Sequence, residues 1–227
     1  MKRSTISVAV DGPAGAGKST VARSAAAQLG FVYADTGAIY RTVGLAVLRR
    51  GISPDDVTGV TALLPLLRIR LQWSDDGRQH SLLDGEDVSE AIRASEVSDA
   101  ASRVSAIPSV RAFLLQMQRD IAGTHSVIMD GRDIGTVVLP DATVKVFLTA
   151  SAEVRARRRC AELAQRGAAA DYETILQQLR QRDARDAGRE VAPLLPARDS
   201  VLLDTTDLTQ EDSISRLVEI IRERTGL

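Results

Sequence analysis

The segment Gly12-Pro-Ala-Gly-Ala-Gly-Lys18-Ser19 is the strongest indication of fold in this 227-residue chain. It matches the pattern G-x-x-x-x-G-K-[ST] in full, between an apolar segment at 6–10 and an Ala-rich segment at 18–29. Glycines let backbone N–H groups surround phosphate oxygens, and the N-terminus of the following helix faces the same anion. The alternative is a glycine-rich turn that only joins a strand to a helix. The complete motif in its required context favours a site for a nucleoside triphosphate.

The same loop predicts which residues contact the nucleotide. Lys18 supplies a compact positive charge for the β- and γ-phosphates, and the Ser19 hydroxyl can bind Mg²⁺. GTPases, motors and transporter ATPases share this loop, so a kinase also needs a site for an acceptor. The predicted nucleotide-binding residues of the loop are Gly12, Pro13, Ala14, Gly15, Ala16, Gly17, Lys18, Ser19 and Thr20.

Short apolar segments alternate with helical segments on both sides of the loop, as in a parallel sheet with right-handed crossovers. The middle of the chain differs, because 66–73 and 81–88 alternate apolar and polar residues around a turn at 74–77. This pattern predicts a small antiparallel insert. Ser151 predicts a capping box at the start of a helix. The predicted strands of the main sheet lie at 6–10, 31–34, 127–130, 144–148 and 200–203. The predicted helices lie at 18–29, 37–50, near 89–105, 108–122, from 151, 172–186 and 211–224.

Composition excludes several functional classes. The net charge of −1 predicts no binding to nucleic acids or membrane surfaces. A single cysteine, Cys160, excludes an internal disulfide and fits a reducing compartment. No apolar run approaches about 18 residues, and the first residues lack a signal-peptide pattern. We therefore expect a cytoplasmic protein, and a monomer, since no exposed apolar segment demands a partner.

The segment Asp35-Thr-Gly-Ala-Ile-Tyr-Arg41 follows the second predicted strand. Ligands of open parallel sheets bind outside the carboxyl ends of the strands, so this segment should face the phosphate loop. Arg41 could make a two-pronged contact with an acceptor phosphate. The alternative is that Asp35 and Thr36 only cap the next helix and that Arg41 is a solvated surface residue.

The segment Asp130-Gly-Arg132-Asp133 ends the third predicted strand. An acidic residue after an apolar strand is the usual partner of a phosphate loop for Mg²⁺ and its waters, which is the role expected of Asp130. Asp133 would orient an acceptor, and Arg132 would contact the transferring phosphoryl group. The alternative is a turn that carries a surface charge pair.

A third cluster is rich in arginine. Phosphoryl transfer needs several cations around the reacting phosphates, and arginine supplies them without titrating. An ordinary solvated helix face with ion pairs is the alternative for each single arginine, whereas the set as a whole favours function. The cluster comprises Arg155, Arg157, Arg158, Arg159, Arg180, Arg182, Asp183, Arg185, Asp186 and Arg189.

Taken together and in this order, the segments 12–19, 35–41, 131–136 and 182–189 resemble those of bacterial cytidylate kinases, from about residue 5 to 220. The resemblance implies an α/β, three-layer P-loop NTPase fold with a five-stranded parallel sheet, a small α+β acceptor-binding insert and a helical lid. It implies transfer of the ATP γ-phosphate to CMP or dCMP with Mg²⁺, in pyrimidine nucleotide metabolism. The loop residues above are then ATP-binding.

The resemblance also implies how the chain is divided. A single P-loop kinase domain would span residues 1–227. Its core would comprise about 1–60, 108–150 and 198–227. The insert that binds the nucleoside monophosphate would span about 61–107, and the lid region about 151–197.

Residue roles follow from the same resemblance. Ser102 is expected to contact the base and Asp186 the sugar of CMP, and Arg158 and Arg159 would contact ATP. Ser19, and Asp130 through water, would hold the metal. The implied catalytic residues are Lys18, Arg132, Asp133, Arg182 and Arg189. The implied CMP-binding residues are Thr36, Arg41, Ser102, Arg111, Arg132, Asp133, Arg182, Asp186 and Arg189.

Two other functions remain open from the sequence. One is a kinase for a different small acceptor, such as UMP, AMP or a metabolite. The other is a P-loop switch or ATPase that hydrolyses nucleotide without an acceptor. No N-K-x-D motif for reading guanine occurs in the chain, which weighs against a GTPase switch.

Overall fold

A computed structural model describes residues 5–165 and 167–227, so positions 1–4 and 166 of the predicted ranges lie outside the described residues. The strands are β1 (Ser7–Asp11), β2 (Val32–Asp35), β3 (Ile69–Trp73), β4 (Gln79–Leu83), β5 (Glu86–Asp87), β6 (Val127–Gly131), β7 (Val144–Thr149) and β8 (Val201–Asp204). Five of them form one parallel sheet in the order β2-β6-β1-β7-β8, which confirms the predicted main sheet.

Eight α-helices accompany the strands in the described part of the chain. They are α1 (Lys18–Leu29), α2 (Thr36–Arg49), α3 (Val57–Leu63), α4 (Ser95–Val104), α5 (Pro108–Thr124), α6 (Ala152–Gln165), α7 (Tyr172–Ala187) and α8 (Gln210–Thr225). None of the described helices is long and apolar enough to cross a lipid bilayer.

Alternating side chains of the strands point to opposite faces of the sheet and give the fold its three layers. Val8 and Val10 of β1 belong to a buried cluster with residues of α1 and α8, such as Leu217. Ala9 between them belongs to a second cluster, which includes Ala122 of α5. The sheet is therefore covered by helices on both faces, as the apolar strands predict.

The antiparallel strands β3, β4 and β5 form a separate three-stranded sheet. Its buried residues, such as Ile69 and Leu83, join a cluster with Val43 of α2, Val104 of α4 and Leu114 of α5. The small sheet thus packs beside the β2 edge of the main sheet through α2.

Two local predictions fail, and two other elements were not predicted. Asp84 and Gly85 have φ values of 53° and 95°, and the turn they make divides the single strand predicted over 81–88 into β4 and β5. The helix predicted near 89–105 begins only at Ser95, because Ala94 is extended, and a single 3₁₀ turn occupies Ala91–Arg93. The segments of α3 and of a π-helical turn at Ile134–Val138 carried no clear pattern in the sequence.

The helix predicted from Ser151 is α6, and its cap is simpler than expected. The Ser151 hydroxyl accepts a hydrogen bond from the Val154 N–H at 3.3 Å. The Glu153 carboxylate does not complete a reciprocal capping box, because the Ser151 N–H donates to the Thr206 hydroxyl at 3.0 Å. Glu153 instead accepts a hydrogen bond from Arg180 of α7 at 2.6 Å. Ser151 is therefore an N-cap, and the capping-box prediction is wrong.

We expect Leu217→Ala to lower the free energy of unfolding by about 3 kcal/mol, because the fully buried side chain of Leu217 would leave a cavity between α8 and the sheet. Urea denaturation measures the change. Leu202→Ala is the matched control: this leucine is 66% exposed on β8, so its truncation should change stability by less than about 0.5 kcal/mol. Equal losses in the two variants would contradict this placement of the core.

Candidate active site

The phosphate loop runs from the end of β1 to the start of α1, and its backbone explains its glycines. A Cβ atom at Gly12 would lie 1.9 Å from the carbonyl oxygen of Leu148, so only glycine fits beside β7. Gly17 is the N-cap of α1 and has a φ of 90°, in the left-handed region that glycine adopts without strain. The first N–H groups of α1 have no partners within the helix, and they provide the anion-binding end of the loop.

Lys18 is buried inside this loop. Its Nζ atom donates a hydrogen bond to the Pro13 carbonyl oxygen at 2.7 Å. Burial, together with the positive charge of Arg132, lowers the pKa of Lys18 to about 7. An anion bound in the loop would favour the charged ammonium group, which suits Lys18 to phosphate binding.

Asp130 lies at the end of β6 and meets the loop through Ser19. The Ser19 hydroxyl donates to Asp130 at 2.8 Å, and the Tyr33 hydroxyl donates to its other carboxylate oxygen at 3.2 Å. Burial and the charge of Asp35 raise the pKa of Asp130 to about 6. The paired hydroxyl and carboxylate oxygens are donors that Mg²⁺ accepts.

No group of three or more His, Cys, Asp or Glu residues in the described chain could hold a metal ion alone. The Ser19–Asp130 pair therefore fits an ion that takes most of its ligands from phosphate oxygens and water, as Mg²⁺ does at nucleotide sites. Such an ion is compatible with the predicted metal residues.

Asp11, which the sequence analysis did not single out, ties the loop strand to the next segment of the site. Its two carboxylate oxygens accept hydrogen bonds from the backbone N–H groups of Ile134 and Gly135, each at 2.7 Å. Burial raises the pKa of Asp11 to about 6 against the opposite effect of these hydrogen bonds. The contact fixes the turn that follows Arg132 and Asp133. In the sequence, Asp11 could have been recognised as a candidate site residue because it directly follows the apolar segment 6–10.

Asp35 and Arg41 form an ion pair at the start of α2. The Asp35 carboxylate accepts from the Ala38 N–H at 3.0 Å and from Arg41 at 2.6 Å. Asp35 is therefore a helix cap, as the alternative interpretation held, but the Arg41 side chain is only 26% exposed and is not a solvated surface residue. Thr36 donates its hydroxyl to the Asp130 carbonyl oxygen at 2.7 Å and joins β2 to β6.

Arg111 and Asp133 form a buried ion pair with a hydrogen bond between them. The Arg111 guanidinium also lies over the ring of Tyr40, 5.6 Å from its centroid. Because Asp133 is buried, the alternative of a surface charge pair after β6 is wrong for this residue.

Asp186 of α7 joins two of the predicted site arginines. It accepts from the Arg132 Nε atom at 2.9 Å and from Arg189. Burial alone would raise the pKa of Asp186, but Arg132 and Arg189 hold it below its usual value. Burial, with Arg132 nearby, lowers the pKa of Arg182 to about 10. On α7, Arg182 is therefore buried near Arg132 and Asp186, whereas Arg180 is exposed to solvent.

Several buried side-chain atoms in the described chain have no hydrogen-bond partner. Three of them belong to predicted acceptor residues, namely Arg41 Nε, Arg182 Nε and Ser102 Oγ, and the others are Gln118 Oε1 and Asp183 Oδ1. Ser102 and Arg189 line a cavity of about 390 Å³ between α4 and the end of α7. Buried polar groups without partners are costly, and a ligand in this cavity would offer a partner to the Ser102 hydroxyl group.

The two arginines predicted to contact ATP have different surroundings. Arg158 donates to the Thr205 carbonyl oxygen at 2.6 Å and to the Ala16 carbonyl oxygen of the loop at 3.5 Å. Arg159 forms an ion pair with Glu162 of the same helix at 2.7 Å and is 41% exposed. These hydrogen bonds connect Arg158, and not Arg159, to the phosphate loop.

Arg155 also contacts the loop, although no sequence pattern separates it from its neighbours. Its buried guanidinium donates to the carbonyl oxygens of Ala150 at 2.8 Å and of Ala14 at 3.0 Å. The same group pairs with Asp183 of α7 at 2.7 Å. Arg155 therefore joins the phosphate loop to the helix that carries Arg182.

Comparisons with known proteins agree over nearly the whole chain. A family model described as cytidylate kinase matches residues 8–223. A curated cytidylate kinase of Caldanaerobacter subterraneus subsp. tengcongensis is 51% identical over 221 residues, which is 97% of this chain and 96% of the relative. A cytidylate kinase of Caldicellulosiruptor bescii is 50% identical over 215 residues, 95% of each chain. A gluconokinase structure from Sinorhizobium meliloti 1021 covers 99% of this chain and 96% of its own, with a TM-score of 0.50 and 15% identity, a likeness in fold alone.

The raised pKa of Asp11 predicts how its contribution to stability changes with pH. A carboxyl group whose pKa is raised to about 6 on folding stabilises the protein most below its unfolded pKa of about 4, and this contribution is lost as the pH rises through 6. We expect wild type to lose up to about 3 kcal/mol relative to Asp11→Asn between pH 4 and pH 7. Urea unfolding at several pH values measures this difference, and a difference independent of pH would contradict the assignment.

Proposed function

This chain belongs to the cytidylate kinase family, and we propose that it transfers the γ-phosphoryl group of ATP to CMP and dCMP, with Mg²⁺, in pyrimidine nucleotide metabolism. The observation that carries the proposal is the set of buried donors without partners at Arg41, Ser102 and Arg182. Two guanidinium groups suit an acceptor phosphate, and a hydroxyl group suits a polar edge of a nucleoside. A monophosphate nucleotide offers both kinds of partner.

The donor side of the proposal rests on the phosphate loop. ATP phosphates would accept hydrogen bonds from the loop backbone and from Lys18, and Arg158 lies beside the loop at Ala16. Ser19, and Asp130 through water, would hold Mg²⁺, which neutralises charge on the β- and γ-phosphates when it is bound. Arg155 supports the loop from behind, through the Ala14 carbonyl oxygen.

The acceptor side rests on the arginines beyond the loop. Burial, and then the charges of Arg132 and Arg41, lower the pKa of Arg182, so the three guanidinium groups lie near one another. A CMP phosphate in that region would reduce their mutual repulsion. Ser102, at the cavity next to Arg189, would contact the base, and Asp186 the sugar.

The chemistry needs no nucleophile from the protein. An oxygen of the acceptor phosphate attacks the γ-phosphorus of ATP, the bond to the β-phosphate oxygen breaks, and ADP leaves. The protein contributes by positioning the two phosphates and by neutralising charge as it develops, with Lys18, Arg132 and Arg182 as the cations. Asp133, through Arg111, would orient the acceptor.

The division of the chain remains part of this proposal. The core would bind ATP, the segment of about 61–107 would close over the acceptor, and the segment of about 151–197 would act as a lid. Closure would exclude water, which otherwise competes with the acceptor for the γ-phosphate. A cytoplasmic location and a monomeric state belong to the same proposal and rest on composition, including the single Cys160.

An acceptor panel tests the proposal directly. ADP release from ATP·Mg²⁺ is measured with CMP, dCMP, UMP, AMP or GMP and with no acceptor. We expect turnover with CMP and dCMP far above that with the purine nucleotides, because a site that hydrogen-bonds one base leaves buried groups unpaired with another. Preferential turnover of AMP, GMP or UMP would assign a different acceptor. Equal ADP release without any acceptor would show an ATPase and overturn the proposal.

We expect Arg182→Ala to lower kcat with CMP by about 10³- to 10⁵-fold, because a buried cation at the transferring phosphoryl group is lost. Arg180→Ala is the matched control, since Arg180 lies on the same helix but is 61% exposed and pairs with Glu153. Steady-state kinetics with saturating ATP measures both variants. An Arg182→Ala enzyme within about tenfold of wild type would remove Arg182 from the reaction.

A further inference from the structure

The edge of the main sheet at β2 is covered by side chains rather than by another strand. Successive residues of a strand direct their backbone groups to opposite sides. Val32 donates its N–H to the Ser126 carbonyl oxygen, just before β6, so Tyr33 and Asp35 direct their backbone groups away from β6. Edge groups of this kind need other partners when they are shielded from water.

The small sheet supplies those partners through two residues. Gln79 of β4 accepts a hydrogen bond from the Asp35 N–H at 2.8 Å and donates one to the Asp35 carbonyl oxygen at 3.2 Å. The Trp73 indole N–H donates to the Tyr33 carbonyl oxygen at 2.9 Å. Trp73 and Gln79 face each other in the β3–β4 register. The side-chain amide of Gln79 thus replaces the peptide group of a neighbouring strand.

Asp35 connects Gln79 to Arg41: its backbone binds Gln79, and its carboxylate binds Arg41. Both carboxylate oxygens of Asp35 are occupied, one by the Ala38 N–H and the other by the Arg41 guanidinium. A Cβ atom at Gly37 would lie 3.1 Å from Arg41 Nη1, so the guanidinium packs closely over the first turn of α2. A shift of the Asp35 backbone would therefore move the guanidinium and the buried Nε atom that has no partner.

We propose that Gln79 is a positioning residue for the acceptor phosphate. By fixing the Asp35 backbone it sets the direction of the Arg41 guanidinium. Because Gln79 lies on β4, the position of the small sheet then affects the position of Arg41. Gln79 itself touches neither substrate. The inference rests on the proposed function only in taking Arg41 as a ligand of the acceptor phosphate.

The first test compares Gln79→Ala with Gln72→Ala in the full-length protein. Gln72 is the matched control, because it has the same side chain, lies in the same hairpin next to Trp73 and is exposed. We expect Gln79→Ala to raise KM for CMP by about tenfold and to leave KM for ATP within about twofold, since two hydrogen bonds to Asp35 are lost and the ATP site is untouched. We expect Gln72→Ala to match wild type.

A second variant separates positioning from a general loss of structure. Gln79→Glu keeps the size and one acceptor oxygen of the side chain, but it cannot donate to the Asp35 carbonyl oxygen and adds a negative charge near Asp35. We expect the same selective rise in KM for CMP with a melting temperature close to that of wild type. Parallel rises in KM for CMP and for ATP in both variants would assign Gln79 a structural role only and overturn the proposal.

The coupling to Arg41 is tested with a double-mutant cycle. If Gln79 acts through Arg41, the change Gln79→Ala should have no further effect on KM for CMP in an Arg41→Ala background. Additive effects would overturn the proposal. Wild-type enzyme that does not phosphorylate CMP would refute the proposed function itself, whereas active wild type with a Gln79→Ala variant that behaves like Gln72→Ala would refute this inference alone.

Discussion

Electrostatic repulsion among cations shapes the site at the carboxyl ends of the parallel strands. Burial, together with the positive charge of Arg132, lowers the pKa values of Lys18 and Arg182, because it removes the water that would screen these cations. Such a set persists only where carboxylates are placed among its members. Asp130 and Asp186 have that position, and each is delivered by a different element, β6 or α7. The carboxylates therefore assemble the site as much as the cations do.

Two further contacts hold the phosphate loop to the rest of this assembly. Asp11 binds the backbone after Asp133 on one side, and Arg155 joins Ala14 to Asp183 on the other. Both side chains bind protein groups on the far side of the contact. The loop region is thus connected to the turn after β6 and to α7 by bonds that need no ligand. These bonds fix the position of α7, which carries Arg182, relative to the loop.

Features that depend on neighbouring residues could be predicted, and features that depend on distant ones could not. The strand, glycine-rich loop and helix around Lys18 follow from local spacing, and so do the five apolar strand segments. The five-stranded parallel sheet itself is implied by the family resemblance. The division of 81–88 depends on a left-handed Asp84, which composition does not announce. Arg155 and Arg159 look alike in sequence, yet one is buried against the loop and the other pairs with Glu162 at the surface. Their difference, like the contact of Gln79 with Asp35, arises only when remote segments meet.

The burial of Lys18 has a consequence for the solution chemistry of the protein. Burial lowers the pKa of the Lys18 ammonium group in the empty loop, whereas bound phosphates would favour its protonated form. Nucleotide binding would therefore be accompanied by partial proton uptake by Lys18 from the solvent. By linkage, alkaline conditions would weaken nucleotide binding although the phosphates themselves are fully ionised there. Nucleotide binding at the loop is therefore linked to proton uptake by Lys18.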